Sequence, residues 1–117
     1  MINFLGKNAM KKLIAFVLCT LVSFSASAVT ETNKTINAMG VQNAGGNQIA
    51  YAYLSPAPEV HCLYGIIYIQ DLSTPGGTAL LSILQKAYSL SKPLSRIDYF
   101  QDSASGVCYF SLIEVAK

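Results

Sequence analysis

Three cysteines stand in the 117 residues, and the fate of one decides what the other two must do. Cys19 lies inside the apolar run LIAFVLCTLVSF at 13–24, directly after a basic, acid-free segment that holds Lys7, Lys11 and Lys12. A basic head, an apolar stretch and then SASAV, with Ala26 and Ala28 at the small-residue positions, are the parts of a secretory signal peptide. Residues 1–28 are therefore read as a bacterial export signal cleaved between Ala28 and Val29. The apolar run is shorter than the roughly 20 residues that span a bilayer, and Cys19 has no small residue just before it, so neither an anchor nor a lipoprotein fits. Cys19 leaves with the signal. Cys62 and Cys108 remain as an even pair in an oxidising compartment, periplasmic or extracellular, where a disulfide is the default. A two-thiolate metal site lacks partners, because His61 is the only histidine and sits beside Cys62.

Losing the signal also removes the basic character of the chain. Three of the eight Lys and Arg lie in it and all six acids lie beyond it, so the remaining residues 29–117 carry a net charge of −1. That balance gives no footing for nucleic acid or an anionic membrane surface, and no further run is long enough to span a membrane. Residues 29–117 make one domain, with a core small enough to gain from a covalent staple. All seven tyrosines fall there, without a tryptophan. A tyrosine joins an apolar ring to a polar tip, so the enrichment suits half-buried strands and wet binding surfaces alike.

The mature stretch reads as five strands and one helix. VTETNKT at 29–35 is polar and aperiodic, which marks a flexible N-terminus, and a first weak strand is expected over 36–42. NAGGN at 43–47 is a turn of residues that tolerate positive φ. QIAYAYLS alternates Ile49, Tyr51 and Tyr53 with Ala50, Ala52 and Leu54, a strand bulky on one face and small on the other. Beyond the prolines of PAPE, which remove two backbone donors, VHCLYGIIYIQ at 60–70 is the strongest strand, apolar on both faces, with Gly65 marking a bulge or bend. Thr74-Pro75 supplies an N-cap and a proline at the first helical position, and the helix is expected to end near Ser91, before Lys92-Pro93. Its apolar residues, among them Leu80, Ile83, Leu84, Tyr88 and Leu90, spread over about 200°, wider than one core-facing stripe. Strands over 94–101 and 107–115, joined by the turn DSASG, finish the chain.

This β-β-β-α-β-β order is that of the OB-fold, a mainly β five-stranded Greek-key barrel with a helix between its third and fourth strands. Cys62 in the third strand and Cys108 in the fifth then staple the barrel. The alternative is an α+β sheet with a single packed helix.

No constellation for catalysis emerges. His61 has no nucleophile at a supporting spacing, and Glu31, Glu59, Asp71, Asp98, Asp102 and Glu114 are scattered without a carboxylate pair. With both cysteines bridged, no thiolate nucleophile remains. TPGGT at 74–78 lacks the lysine of a P-loop and reads as a helix start. The expectation is a non-enzymatic binding module without metal or cofactor.

The cysteine-bearing strand, the DLSTPGG helix start, the passage ILQKAYSLSKPLSRIDY and the ending SGVCYFSLIEV together resemble the B subunits of bacterial A-B toxins with five B chains, of the subtilase cytotoxin and typhoid toxin type. The resemblance covers roughly residues 49–115. It implies an OB-fold with an internal disulfide, a homo-oligomeric ring (a pentamer) with helices lining a central pore, and glycans bound on the outer face. It assigns no ligand-contacting residue. The competing expectation is a monomeric periplasmic inhibitor or structural protein with a protein ligand.

Overall fold

The computed structural model describes residues 28–117, so the expected signal peptide lies, apart from Ala28, outside the described residues. The chain is mainly β, with strands β1 (Val29–Ala44), β2 (Asn47–Ser55), β3 (Ile66–Ile69), β4 (Leu94–Gln101) and β5 (Cys108–Glu114), and one helix, α1 (Pro75–Ser89), between β3 and β4. Pairing runs β1-β2-β3-β5-β4 and returns to β1, closing the strands into a ring. Every pair is antiparallel except β3 with β5, which is parallel. Among the described residues no helix is long and apolar enough to cross a membrane.

The ring closes because β1 is long and serves two neighbours. Its first half pairs with β4, from Val29 opposite Tyr99 to Lys34 opposite Leu94, and its second half pairs with β2, from Thr35 opposite Ser55 to Ala44 opposite Asn47. Residues 29–35, expected to be a flexible terminus, are thus strand. Their polarity has a different cause. Glu31 and Lys34 are both buried, and a strand of strict period two would place them on opposite faces. Asn33 stands between them at φ 56°, a left-handed conformation that asparagine tolerates, and allows both to face inward.

Inside, the two form an ion pair of 2.7 Å with side chains 6% and 5% exposed. The Lys34 ammonium also donates to the carbonyls of Pro56 (2.9 Å) and Ala57 (3.3 Å), while the Glu31 carboxylate accepts from the Tyr99 hydroxyl and from the Glu59 amide. The proline-broken loop after β2 is therefore held by β1. Its carbonyls, free of any strand ladder, satisfy the buried lysine.

The interior explains the sidedness of β2. Ala50, Ala52 and Leu54 face the core, and Tyr51 and Tyr53 face out. Five strands closed on themselves leave a narrow lumen, which Ile67, Ile69, Leu94, Ile97, Tyr99 and Phe110 already occupy. Small residues opposite them are what the volume permits.

Helix α1 starts as its sequence dictates, with the Thr74 hydroxyl accepting from the Gly77 amide at 3.0 Å and Pro75 at the first position. It packs mainly on β5 and also touches β1 and β3. Gly77 is buried against the preceding loop, where a Cβ would collide with the Asp71 carbonyl. Leu84 and Ala87 enter the core, Leu80 and Leu81 are half-buried, and Ile83, Tyr88 and Leu90 stay exposed.

The largest departure lies in the segment expected to be the strongest strand. Only Ile66–Ile69 of 60–70 is strand; Leu63–Gly65 is a 3-10 turn. Its amides are satisfied elsewhere, Leu63 N–H by the Gly106 carbonyl (2.8 Å) and Gly65 N–H by the Cys62 carbonyl (2.9 Å). Tyr64 at φ 60° and Gly65 at φ 69° turn the chain out of the extended region. The apolar run is buried only at Cys62, Ile66, Ile67 and Ile69, while Leu63 and Tyr64 of the turn stand exposed, so apolarity on both faces marked neither strand nor burial there.

Candidate ligand-binding face

Of the residues singled out in the sequence, Cys62 and Cys108 are joined in a disulfide with a Cα–Cα distance of 5.5 Å, and both are buried. Cys62 precedes β3 and is not part of it, so the bond ties the turn before β3 to the first residue of β5. Val29, at the expected cleavage point, opens β1, and Ala28 is exposed. His61 lies exposed in a loop, its carbonyl accepting from the Gln101 side-chain amide at 2.9 Å. Among the described residues no three of His, Cys, Asp and Glu come together.

A row of aromatic rings crosses the outer surface, and only the strand register reveals it. Gly40 of β1 stands opposite Tyr51 of β2, Tyr51 opposite Tyr68 of β3, Tyr68 opposite Tyr109 of β5, and Tyr109 opposite Phe100 of β4. The ring centroids follow this row, at 6.2 Å for Tyr51–Tyr68, 6.5 Å for Tyr68–Tyr109 and 5.6 Å for Tyr109–Phe100, with Tyr53 edge-on to Tyr51 at 6.2 Å. Each such pair contributes about 0.5–1.5 kcal/mol beyond the area it buries. Glycine at 40 is what lets the row reach β1, since a Cβ there would lie 2.6 Å from the Tyr51 hydroxyl oxygen.

The two ends of the row differ. Phe100 and Tyr109 lie half-buried against each other and serve the sheet. At the β1–β2–β3 end the rings open into a groove of about 380 Å³ lined by Val41, Gln42, Tyr51, Tyr53, Tyr64, Ile66 and Tyr68. Tyr64 forms its outer wall and is 75% exposed. A bulky residue at φ 60° is held against its own preference. What holds it is the disulfide at Cys62 on one side and, on the other, the Leu63 amide bonded to Gly106. Burial, followed by the neighbouring phenols of Tyr64, Tyr53, Tyr51 and Tyr109, pushes the Tyr68 phenol above its ordinary value.

Sequence periodicity placed Tyr51 and Tyr53 on one face of β2 but left open what that face meets. The i, i+2 spacing was the one signal available, because Tyr68 and Tyr109 reach the row through pairings that no local pattern encodes, and Tyr64 reaches the groove from the turn before β3. No protein-family model and no curated protein matches the chain.

Proposed function

We propose that this chain is an exported bacterial binding module of the OB-fold type, a toxin B-subunit-like protein without catalytic activity, which binds glycans through its tyrosine face. The observation that carries the reading is the groove on β1, β2 and β3, lined by four tyrosines. Strands 2 and 3 form the surface on which OB-folds generally take oligosaccharides and oligonucleotides. The ring order β1-β2-β3-β5-β4, with the parallel β3–β5 pair and the helix between β3 and β4, supports the OB-fold assignment. The export signal expected over 1–28, with cleavage between Ala28 and Val29, and the Cys62–Cys108 bond support a secreted or periplasmic location.

Assembly into a homo-oligomeric ring belongs to the same reading. Ile83 and Leu90, at one side of α1 and its C-terminal end, and Tyr88, on another side, are exposed in the isolated chain, apolar surface that neighbouring subunits of a ring would cover. The test uses the mature chain, residues 29–117, purified with its disulfide formed. It is expected to sediment well above a monomer and to bind a subset of an immobilised glycan array. A clean monomer that ignores the whole array contradicts the reading and favours a monomeric inhibitor or structural role.

A further inference from the structure

We infer that the tyrosine groove takes a neutral sugar residue and discriminates against sialylated and other anionic glycans; this rests on the glycan-binding reading above. The lining consists of two β1 residues, Val41 and Gln42, with Tyr51, Tyr53, Tyr64, Ile66 and Tyr68, and it contains no lysine, arginine, histidine or acid. A carboxylate or sulfate entering such a site leaves water without a cation or charge-assisted donor to replace it, a penalty that a neutral ligand avoids. Nucleic acid is disfavoured by the same absence, because single strands pair stacked bases with a basic groove.

What the groove offers is matched to a hexose. Tyr51 and Tyr53 stand edge-to-face at 88°, presenting one ring face and one ring edge, and Tyr68 continues the floor from Tyr51. The apolar C–H face of a pyranose packs on such a platform, which buries area without asking for charge. Among the described residues the hydroxyls of these tyrosines make no hydrogen bond to protein, and no buried side-chain polar atom lacks a partner. The phenol tips are therefore free to donate to and accept from sugar hydroxyls, with the exposed Gln42 amide beside them. Tyr64, in the turn next to the disulfide-bonded Cys62, lines the same groove and is exposed, so its ring is available to flank a bound sugar.

The discriminating experiment compares one complex-type oligosaccharide in its sialylated form with the same oligosaccharide after enzymatic removal of sialic acid, each titrated into the mature oxidised protein, with a single-stranded oligonucleotide as a third arm. The desialylated form is expected to bind about tenfold or more tightly than the sialylated form, with little change between low and high salt. Tyr64→Ala, a surface truncation outside the core, is expected to weaken that binding about tenfold, and Tyr51→Ala to weaken it further, with circular dichroism and the unfolding midpoint of the Tyr64→Ala variant unchanged. Preference for the sialylated form, or binding that Tyr64→Ala leaves intact, overturns the inference while glycan binding itself stands. Failure of both oligosaccharides, or binding of the oligonucleotide alone, overturns the inference and the glycan reading together.

Discussion

Replacing both Cys62 and Cys108 with alanine is expected to lower the unfolding free energy by about 4 kcal/mol, the chain-entropy cost of releasing a loop of this length. The two residues are 46 apart in sequence. Against a stability of roughly 5–15 kcal/mol for an ordinary domain, that loss leaves little margin. The position of the bond adds a structural reason. β3 and β5 pair through only Ile67 opposite Cys108 and Tyr68 opposite Tyr109, whereas β1 pairs with β2 from Thr35 to Ala44. The β3–β5 seam is the shortest in the ring, and the disulfide lies at its edge. Urea unfolding with and without reductant measures the loss, and hydrogen exchange locates it: the amides of Ile67 and Tyr109 are expected to lose protection before those of β2. A change below about 1 kcal/mol, or an even loss of protection around the ring, contradicts this role.

The second large effect comes from the buried pair in β1. Glu31→Leu leaves the Lys34 ammonium in the core with only the Pro56 and Ala57 carbonyls as partners, and removing one member of a buried ion pair costs about 3–5 kcal/mol. Glu31→Leu/Lys34→Leu removes both charges and is expected to recover most of that loss, as apolar replacements of whole buried pairs often do. Chemical denaturation of the two variants beside the wild type checks both statements. A double variant no more stable than the single one sinks the account of the pair.

The same cluster sets the pH response at both ends. Burial raises the Glu31 carboxyl, but hydrogen bonds from Lys34, Tyr99 and the Glu59 amide outweigh it and leave the group below its ordinary value of 4.5. Its contribution to stability is present above the unfolded carboxylate range and is lost as pH falls through the depressed native value. Tyr99 behaves in the opposite sense. Burial and the hydrogen bond to Glu31 push its phenol from 10.0 up to about 12, so the native state keeps a proton that the unfolded chain gives up. Stability from this group is full below about pH 10 and declines as pH rises toward about 12. Thermal unfolding across pH is expected to show both declines in the wild type, with the acid one diminished in Glu31→Leu/Lys34→Leu.

How far the fold was legible varies by element, and the reasons are physical. β4 was read at its observed bounds and α1 began where its cap and proline placed it, because both are written in local chemistry: alternation in Leu94–Gln101 and the Thr74-Pro75 start. The disulfide pairing followed from compartment and number. The first half of β1 escaped because its inward residues are charged; a buried Glu31 and Lys34 look like solvated polarity until the third partner, Tyr99, is placed beside them from 68 residues away. The 60–65 segment was over-read as strand because an apolar run does not record backbone geometry: Tyr64 and Gly65 take positive φ and Leu63 and Tyr64 stand exposed. The aromatic row was illegible for a related reason. Tyr51, Tyr68, Tyr109 and Phe100 meet only through register across a ring whose sequence order is not its spatial order.

The proposed ligand site is the tyrosine groove at the β1–β2–β3 surface, not the helix. Selectively labelling the tyrosine rings and recording their nuclear magnetic resonance signals during titration with the desialylated oligosaccharide tests it most directly, because the seven tyrosines sample every relevant place: the groove (Tyr51, Tyr53, Tyr64, Tyr68), the far end of the row (Tyr109), the helix (Tyr88) and the core (Tyr99). The groove signals are predicted to shift with saturable dependence on sugar while Tyr88 and Tyr99 stay in place. Saturable shifts confined to Tyr88, with the groove signals unmoved, would contradict the account.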